Sequence, residues 1–491
     1  MMEDKGKITE KRVPTFLEAI LPIIVMLVVL TIGKGLMGLV TEPLLLLVTV
    51  FAGILAWRMG YSWDEMMQEI CQKVARGMPA ILVLISVGAV VGTWVLSGTI
   101  PMMIYYGIQI VDPKWMLVTS FIISALVSIC CGTSWGTVAT MGVALMGISS
   151  TLGISLPATA GAVVAGSFFG DKLSPLSDTT NLSPIAAGSQ LYEHIGHMLW
   201  TTIPASIISL VVYAIAGSGV AAGVDVESET VTQMLTQLDQ MFHWNILLIL
   251  PIVVVLVGSI MRKPTIPVML LSSGVAGIEA IIFQGSSFAN VIASCANGFT
   301  VSMVNREGWN PETASEEVLK LLERGGLSSM MSTCLLVFCA FCFAGIMSKS
   351  GSLDVILNKI LSVAKSTGTL ITATVASCII MALSTGNSYL SILIPGEMFR
   401  KAYIKRGLHP KNLSRTLEDA GTVFVPLVPW SAAGAYMTSC LGVEVLDYLP
   451  WAVLCYVGFI IAIIYGFTGI GIKKLTEEEK EKYEAEMGQE V

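Results

Sequence analysis

The string Gly170-Asp171-Lys172-Leu173-Ser174-Pro175-Leu176-Ser177-Asp178-Thr179-Thr180-Asn181-Leu182-Ser183-Pro184 packs two aspartates, a lysine and a run of hydroxyls between the apolar stretches 162–169 and 185–187. Ionisable groups in such a setting are costly, which makes them functional candidates. The chemistry on offer is oxygen coordination. A hard alkali cation prefers carboxylate, hydroxyl and carbonyl oxygens, and one carboxylate can hold either that cation or a proton. Asp171 and Asp178 are the first candidates for a cation and proton site, with Ser177, Thr179, Thr180 and Asn181 beside them. The alternative for Asp171 is a pair with Lys172 at a membrane interface. Lys172 suits a salt bridge, a snorkelling position or an anion contact. The two prolines suit a hairpin or an unwound helix.

A second polar element lies upstream, at Gly132-Thr133-Ser134-Trp135, and it has a counterpart 254 residues on, Gly386-Asn387-Ser388-Tyr389. Thr133, Ser134, Asn387 and Ser388 are candidates for the substrate or ion path. Hydroxyl bonding back to helix carbonyls explains the hydroxyl residues equally well. Gly170 with Pro175-Leu176 likewise matches Gly421 with Pro426-Leu427, at an offset of 251. This alignment sets Pro429 and Ser431 against Asp178 and Thr180. Ser431 joins the path candidates, and loss of the acid suggests one principal acidic site. His194 and His197 are candidates for pH sensing, or simply interfacial residues. Glu279, a lone acid in an apolar run, is a candidate for proton coupling or a satisfied buried group. Glu397, Glu418 and Asp419 flank a basic loop and read as local salt-bridge partners.

The elements that must position these groups follow from composition. Of 491 residues, 54% are hydrophobic and only 13% charged, with mean hydropathy +0.76. A soluble domain carries about 25% charged residues, so a water-soluble enzyme, a disordered chain, a coiled coil and a nucleic-acid binder are excluded. Long unbroken apolar runs argue for an all-α polytopic membrane protein, not an outer-membrane barrel. Spans are expected near 14–33, 36–57, 78–97, 115–131, 198–217, 244–261, 265–284, 327–347, 367–383 and 448–468. The stretches 132–190 and 386–440 are broken, and 62–76, 287–304 and 352–365 read as interfacial amphipathic segments. The first span is too long for a signal-peptide core and is not followed by a cleavage site. The ten cysteines lie mostly in apolar runs and read as buried small hydrophobes.

Net charge is −7, and seven of the 35 acids lie in the last nineteen residues, a solvated tail. Basic residues mark the cytoplasmic side. Lys5 to Arg12, then Arg58, Lys73 and Arg76, then Arg262 and Lys263, the run 400–415 and finally Lys473 and Lys474 read as inside. The loop 218–243 carries only acids and reads as outside. The two halves thus have opposite orientation and the same order of spans, the pattern of inverted-topology repeats, whose sites lie where paired helices are interrupted. The expected organisation is a cytoplasmic N-terminus (1–13), a first repeat (14–217), an acidic external loop (218–243), a second repeat (244–468) and a cytoplasmic tail (469–491).

The string 170–184, with Cys130, Gly132 and 133–137 upstream, resembles the NhaC family of sodium/proton antiporters, whose relatives include malate/lactate-type exchangers. The resemblance implies paired inverted repeats with broken helices and re-entrant hairpins, a transport domain moving against a scaffold, and a homodimer. It implies a secondary transporter, not an enzyme, that exchanges Na+ for H+ across the cytoplasmic membrane, with Na+ bound near Asp178, no cofactor and lipid as surroundings. The alternative within the same family is a Na+- or H+-coupled carrier of a small carboxylate or amino acid. An intramembrane aspartyl protease would need a second aspartate sharing a proton, and no mid-span partner is present. A passive channel fits paired helix breaks less well than alternating access does.

Overall fold

A computed structural model describes residues 11–220, 229–261, 263–480 and 483. Lys5, Lys7, Asp225, Glu227 and Arg262, whose charge reads as marking sides of the membrane, lie outside the described residues. The described chain is helical, and its one β contact is an isolated antiparallel bridge between Leu408 and Lys474. Eight of its helices are long and apolar enough to cross a membrane, or up to ten if two bent pairs count as spans.

The helices are α1 (Phe16–Leu30), α2 (Thr41–Arg58), α3 (Trp63–Ser97), α4 (Thr99–Ile110), α5 (Met116–Cys131), α6 (Ser134–Thr137), α7 (Val143–Thr151), α8 (Leu156–Leu173), α9 (Asp178–Ala187) and α10 (Leu191–Val220). After the loop come α11 (Glu229–Met241), α12 (Leu250–Ile260), α13 (Thr265–Gln284), α14 (Phe288–Asn297), α15 (Glu316–Leu322), α16 (Met331–Lys349), α17 (Ser352–Ser362), α18 (Thr367–Thr385) and α19 (Ser388–Lys405). The last are α20 (Pro410–Leu417), α21 (Ala432–Leu441), α22 (Val445–Tyr448) and α23 (Val453–Thr468).

One expectation fails here. The stretch 62–76 is not a separate interfacial segment. It is the first part of the 35-residue α3, opened by a capping box between Ser62 and Glu65. One side of it packs on α16: Gly345 meets Ile70, and Gly77 meets the Phe341 ring. These contacts also set α3 and α16 antiparallel. Further along, Trp94 donates to Ser272 Oγ (3.1 Å) and Thr93 pairs with Ser273 (3.0 Å), which fastens α3 to α13. An indole N–H buried in an apolar helix interface needs such a partner.

The helices that carry the polar motifs form two hairpins. In the first, α5 ends at Gly132 and the chain returns through α6, a π segment Val138–Gly142 and α7. Helices α5 and α8 run parallel, because Gly166 and Gly170 lie on the carbonyls of Phe121 and Ala125. The feet of this hairpin sit at the C-terminal end of α10, where Gly217 meets the Lys114 carbonyl. The second hairpin is α18, Gly386 and α19. Its feet lie at the opposite end of α10, beside the tail segment: His409 N–H donates to Lys473 O (3.0 Å) and Leu475 N–H to Gly407 O (2.8 Å). The hairpins therefore enter the molecule from opposite sides, and each meets a broken helix. Gly132 packs on Leu176 and Ser177, at the break between α8 and α9. Gly386 packs on Ser431, at the break before α21.

Candidate functional site

Both hairpin turns use the same backbone device. Gly132 and Gly386 have φ of +66° and +60°, the left-handed region open to glycine at little cost. The next residues, Thr133 and Asn387, are extended and cap the returning helices. Thr133 Oγ1 accepts from Gly136 N–H (3.4 Å), and Asn387 Oδ1 accepts from Leu390 N–H (3.2 Å). Ser177 and Ser431 cap α9 and α21 in the same way. Four helix starts thus meet in the interior, opposite the carbonyl ends of α5, α8 and α18. Interrupted backbone at this depth must be satisfied by protein or water. Here the motif's own side chains do much of it. Thr180 Oγ1 donates to the Asp171 and Lys172 carbonyls (3.0 and 3.1 Å), Asn181 to Pro175 O and Ser177 O (2.9 and 2.6 Å), and Ser174 to Ile129 O (2.8 Å).

The acids occupy the space these breaks leave. Asp171 is buried in the last turn of α8, and its Oδ2 accepts from Ser134 of the first hairpin (2.7 Å). It does not pair with Lys172. The lysine instead forms a buried ion pair with Asp419, which also accepts from Thr201 on α10 (3.1 Å). Glu418, fully buried, accepts from Thr179 (3.1 Å) and from Ser183 at its other oxygen. Glu418 and Asp419 therefore do not make local bridges to the basic loop. They sit in a π segment, Glu418–Thr422, and join the 170–184 motif from the other half of the chain. Such π turns recur at functional sites. The acids gather at one place but come from both halves: Asp171 from the first, Glu418 and Asp419 from the second.

These two acids were legible in part. They stand one helical turn before Thr422, the position matched to Asp171, in a run that is apolar from Ala420 to Trp430 apart from Thr422. The adjoining basic residues hid them. Asp178, in contrast, is exposed at the start of α9, where Tyr389 of the second hairpin donates to it at 3.4 Å. Ser388 is half-buried beside Tyr389, and Ser431 is buried and donates to Val425 O (2.8 Å). His194 and His197 are buried and tie α10 to α20, through Ser414 (2.9 Å) and Asn412 (3.1 Å). Glu279 is buried on α13, whose chief neighbours are α3, α12 and α14, so it is not brought to this network. Glu397 is exposed.

Two cavities lie among the described residues. One of about 600 Å³ lies towards the first hairpin's side, between Val91, Arg324 and Ser439. One of about 310 Å³ lies between α3, α16 and the second hairpin's turn, at Asn387 and Tyr389.

The sequence profile of the Na+/H+ antiporter family matches residues 107–180 and 166–470, which takes in both hairpins and every acid of the network. The chain belongs to that family. A Haemophilus influenzae protein named as an uncharacterized Na+/H+ antiporter is 51% identical over 94% of this chain and 98% of its own. The Na+/H+ antiporter NhaC of Alkalihalophilus pseudofirmus is 39% identical over 88% of this chain and 90% of its own. A malate-2H+/Na+-lactate antiporter of Bacillus subtilis is 33% identical, covering 93% and 96%. Membership makes this chain a multi-pass membrane antiporter-family protein, and the network of acids and hydroxyls is its candidate ion site.

Proposed function

We propose that this chain exchanges internal Na+ for external H+ across the cell membrane, and that Asp171 and Glu418 are the groups that change partner. The observation that carries this reading is the company the two acids keep. Both are buried, both accept hydrogen bonds from hydroxyls, and neither has an ion-pair partner among the described residues. A buried carboxylate without an ion-pair partner is costly, and a proton on it or a metal cation against it removes that cost. The hydroxyls serve either form, accepting from a protonated acid or joining a carboxylate around sodium. Exchange then needs no second site. Sodium and proton compete for one set of oxygens, and the transport cycle carries whichever is bound. Asp178, exposed and held by Tyr389, stands nearer the entrance and gathers the cation. Lys172 is paired with Asp419, which fixes α8 against the π segment.

Alternating access follows from two inverted repeats, 14–217 and 244–468. Supporting that division are the opposite entry of the two hairpins and the matched backbone at Gly132 and Gly386. The side that carries Arg58, Lys405, Arg406 and Lys473 is the cytoplasmic one, by the positive-inside rule. Both chain ends lie there, and the protein works as a homodimer, as the family resemblance implies. The test is proton-gradient dissipation in everted vesicles on adding sodium or lithium. Dissipation lost in Asp171→Asn and Glu418→Gln is the expected result. Vesicles that contain folded protein and hold their gradient on adding either ion would refute the exchange.

A further inference from the structure

Arg415 stands in the last turn of α20 with no exposed surface. It belongs to the basic run 400–415, but a topology label serves equally well in water, where Lys401 and Lys405 of the same run lie. Burying a cation is costly unless it is paired, and arginine does not shed its proton to avoid that cost. Among the described residues its one hydrogen bond runs from Nη1 to the Gly471 carbonyl of the tail segment (2.9 Å), and no carboxylate lies within ion-pair distance. Its Nε and Nη2 groups have no partner. Asp419, one turn further on, is within its electrostatic reach but is already paired with Lys172.

The charges buried nearby show what Arg415 balances. Histidines aside, the buried acids and bases of the segments 113–220 and 367–468 are Asp171, Lys172, Arg415, Glu418 and Asp419. Lys172 cancels Asp419. Asp171 and Glu418 then offer two negative charges to the single positive charge of a sodium ion. Arg415, three residues before Glu418 in the same helical run, supplies the second positive charge. Coulombic interactions reach far in a medium of low dielectric constant, so a counter-charge need not touch the acids it offsets. A site that moves through a membrane with a net charge pays for it in desolvation.

We infer that Arg415 is the fixed counter-charge of the sodium site: it leaves the site neutral with one sodium ion bound, and it keeps sodium binding weak enough to reverse. The inference rests on the sodium reading of Asp171 and Glu418 proposed above. It adds a positioning residue that is a ligand to neither sodium nor those acids.

The test is counterflow of radiolabelled sodium in proteoliposomes of purified full-length protein, read as initial rate against sodium concentration. No proton takes part, which separates it from the vesicle proton assay. R415Q removes the charge and keeps a donor for the Gly471 carbonyl. Its half-saturation for sodium should fall about tenfold, the effect of one uncompensated charge at an effective dielectric constant of about 20, and its maximal rate should fall with it. R415K should restore both values. Purely structural damage would raise the half-saturation instead. An unchanged or raised value in R415Q that melts normally would overturn the proposal. D419N removes a negative charge from the same set and carries the test with opposite sign if R415Q does not fold. Its half-saturation should rise about tenfold, and a fall or no change counts against the proposal. The double variant R415Q/D419N restores the balance and should respond to sodium as wild type does. Folded wild type without sodium counterflow would remove the sodium site, and this inference with it. A negative proton assay beside intact counterflow would remove only the coupling to protons.

Discussion

Three buried acids in one network are stabilised in two ways, and their variants should separate accordingly. Asp419 has a cation, Lys172, and a hydroxyl. Removing one member of a buried ion pair costs about 3–5 kcal/mol, while replacing both with apolar groups costs far less. Lys172→Met should therefore lower the detergent melting temperature sharply, and the double variant Lys172→Met/Asp419→Leu should recover most of the loss. Asp171 and Glu418 have hydrogen-bond partners but no ion pair among the described residues, so Asp171→Asn keeps the hydrogen bond to Ser134 and should melt near wild type. It removes the exchangeable charge, and sodium-driven proton movement should vanish. Asp178→Asn, at an exposed position, should retain transport with a raised half-saturation for sodium. Vesicle assays across sodium concentrations distinguish the two. Equal, complete loss in both would place the exchange at Asp178 as well.

At the scale of elements, the two hairpin turns look alike in backbone and differ in tightness. A Cβ on Gly132 would lie 2.5 Å from Leu176 Cβ and 2.8 Å from the Leu176 carbonyl carbon, whereas on Gly386 the nearest atom is Ser431 Cα at 3.2 Å. The left-handed conformation alone costs an alanine about 1–2 kcal/mol. Gly386→Ala should show roughly that loss. Gly132→Ala should lose more stability, because the α8–α9 break cannot recede without disturbing Ser177 and Asp171, and its transport should fall with it. Thermal melts of the two variants check the order. The π segment at 418–422 belongs to this scale too. A regular helix would rotate Glu418 and Asp419 off the face that meets α9 and Lys172. Sequence periodicity did not reveal that turn, because a single extra residue leaves a hydrophobic run looking continuous.

For the whole molecule, the hairpins' opposite entry makes a topological prediction. In a cysteine-free background, Ser150→Cys, at the first hairpin's foot, should react with a membrane-impermeant maleimide from outside only. Lys405→Cys, at the second hairpin's foot, should react from inside only. Both sites are exposed. Labelling of both from one side would overturn the inverted arrangement.

The amino-acid sequence alone determined the class of molecule. Scarcity of charge and length of apolar runs are local properties, and they require membrane helices whatever the packing. It also determined where backbone would break, since Gly132, Gly386 and the Pro175 and Pro426 segments act within a few residues of themselves. It marked Asp171 and its hydroxyls for the same reason. Tertiary structure alone decided the partners. Lys172 meets Asp419 across 247 residues, and Ser183 meets Glu418 across 235. It also decided which basic residues stay in water as topology labels and which, like Arg415, are buried. Charge is legible in a sequence, but burial is set by which helices pack together, and a cation's counter-ion is whatever that packing brings within reach.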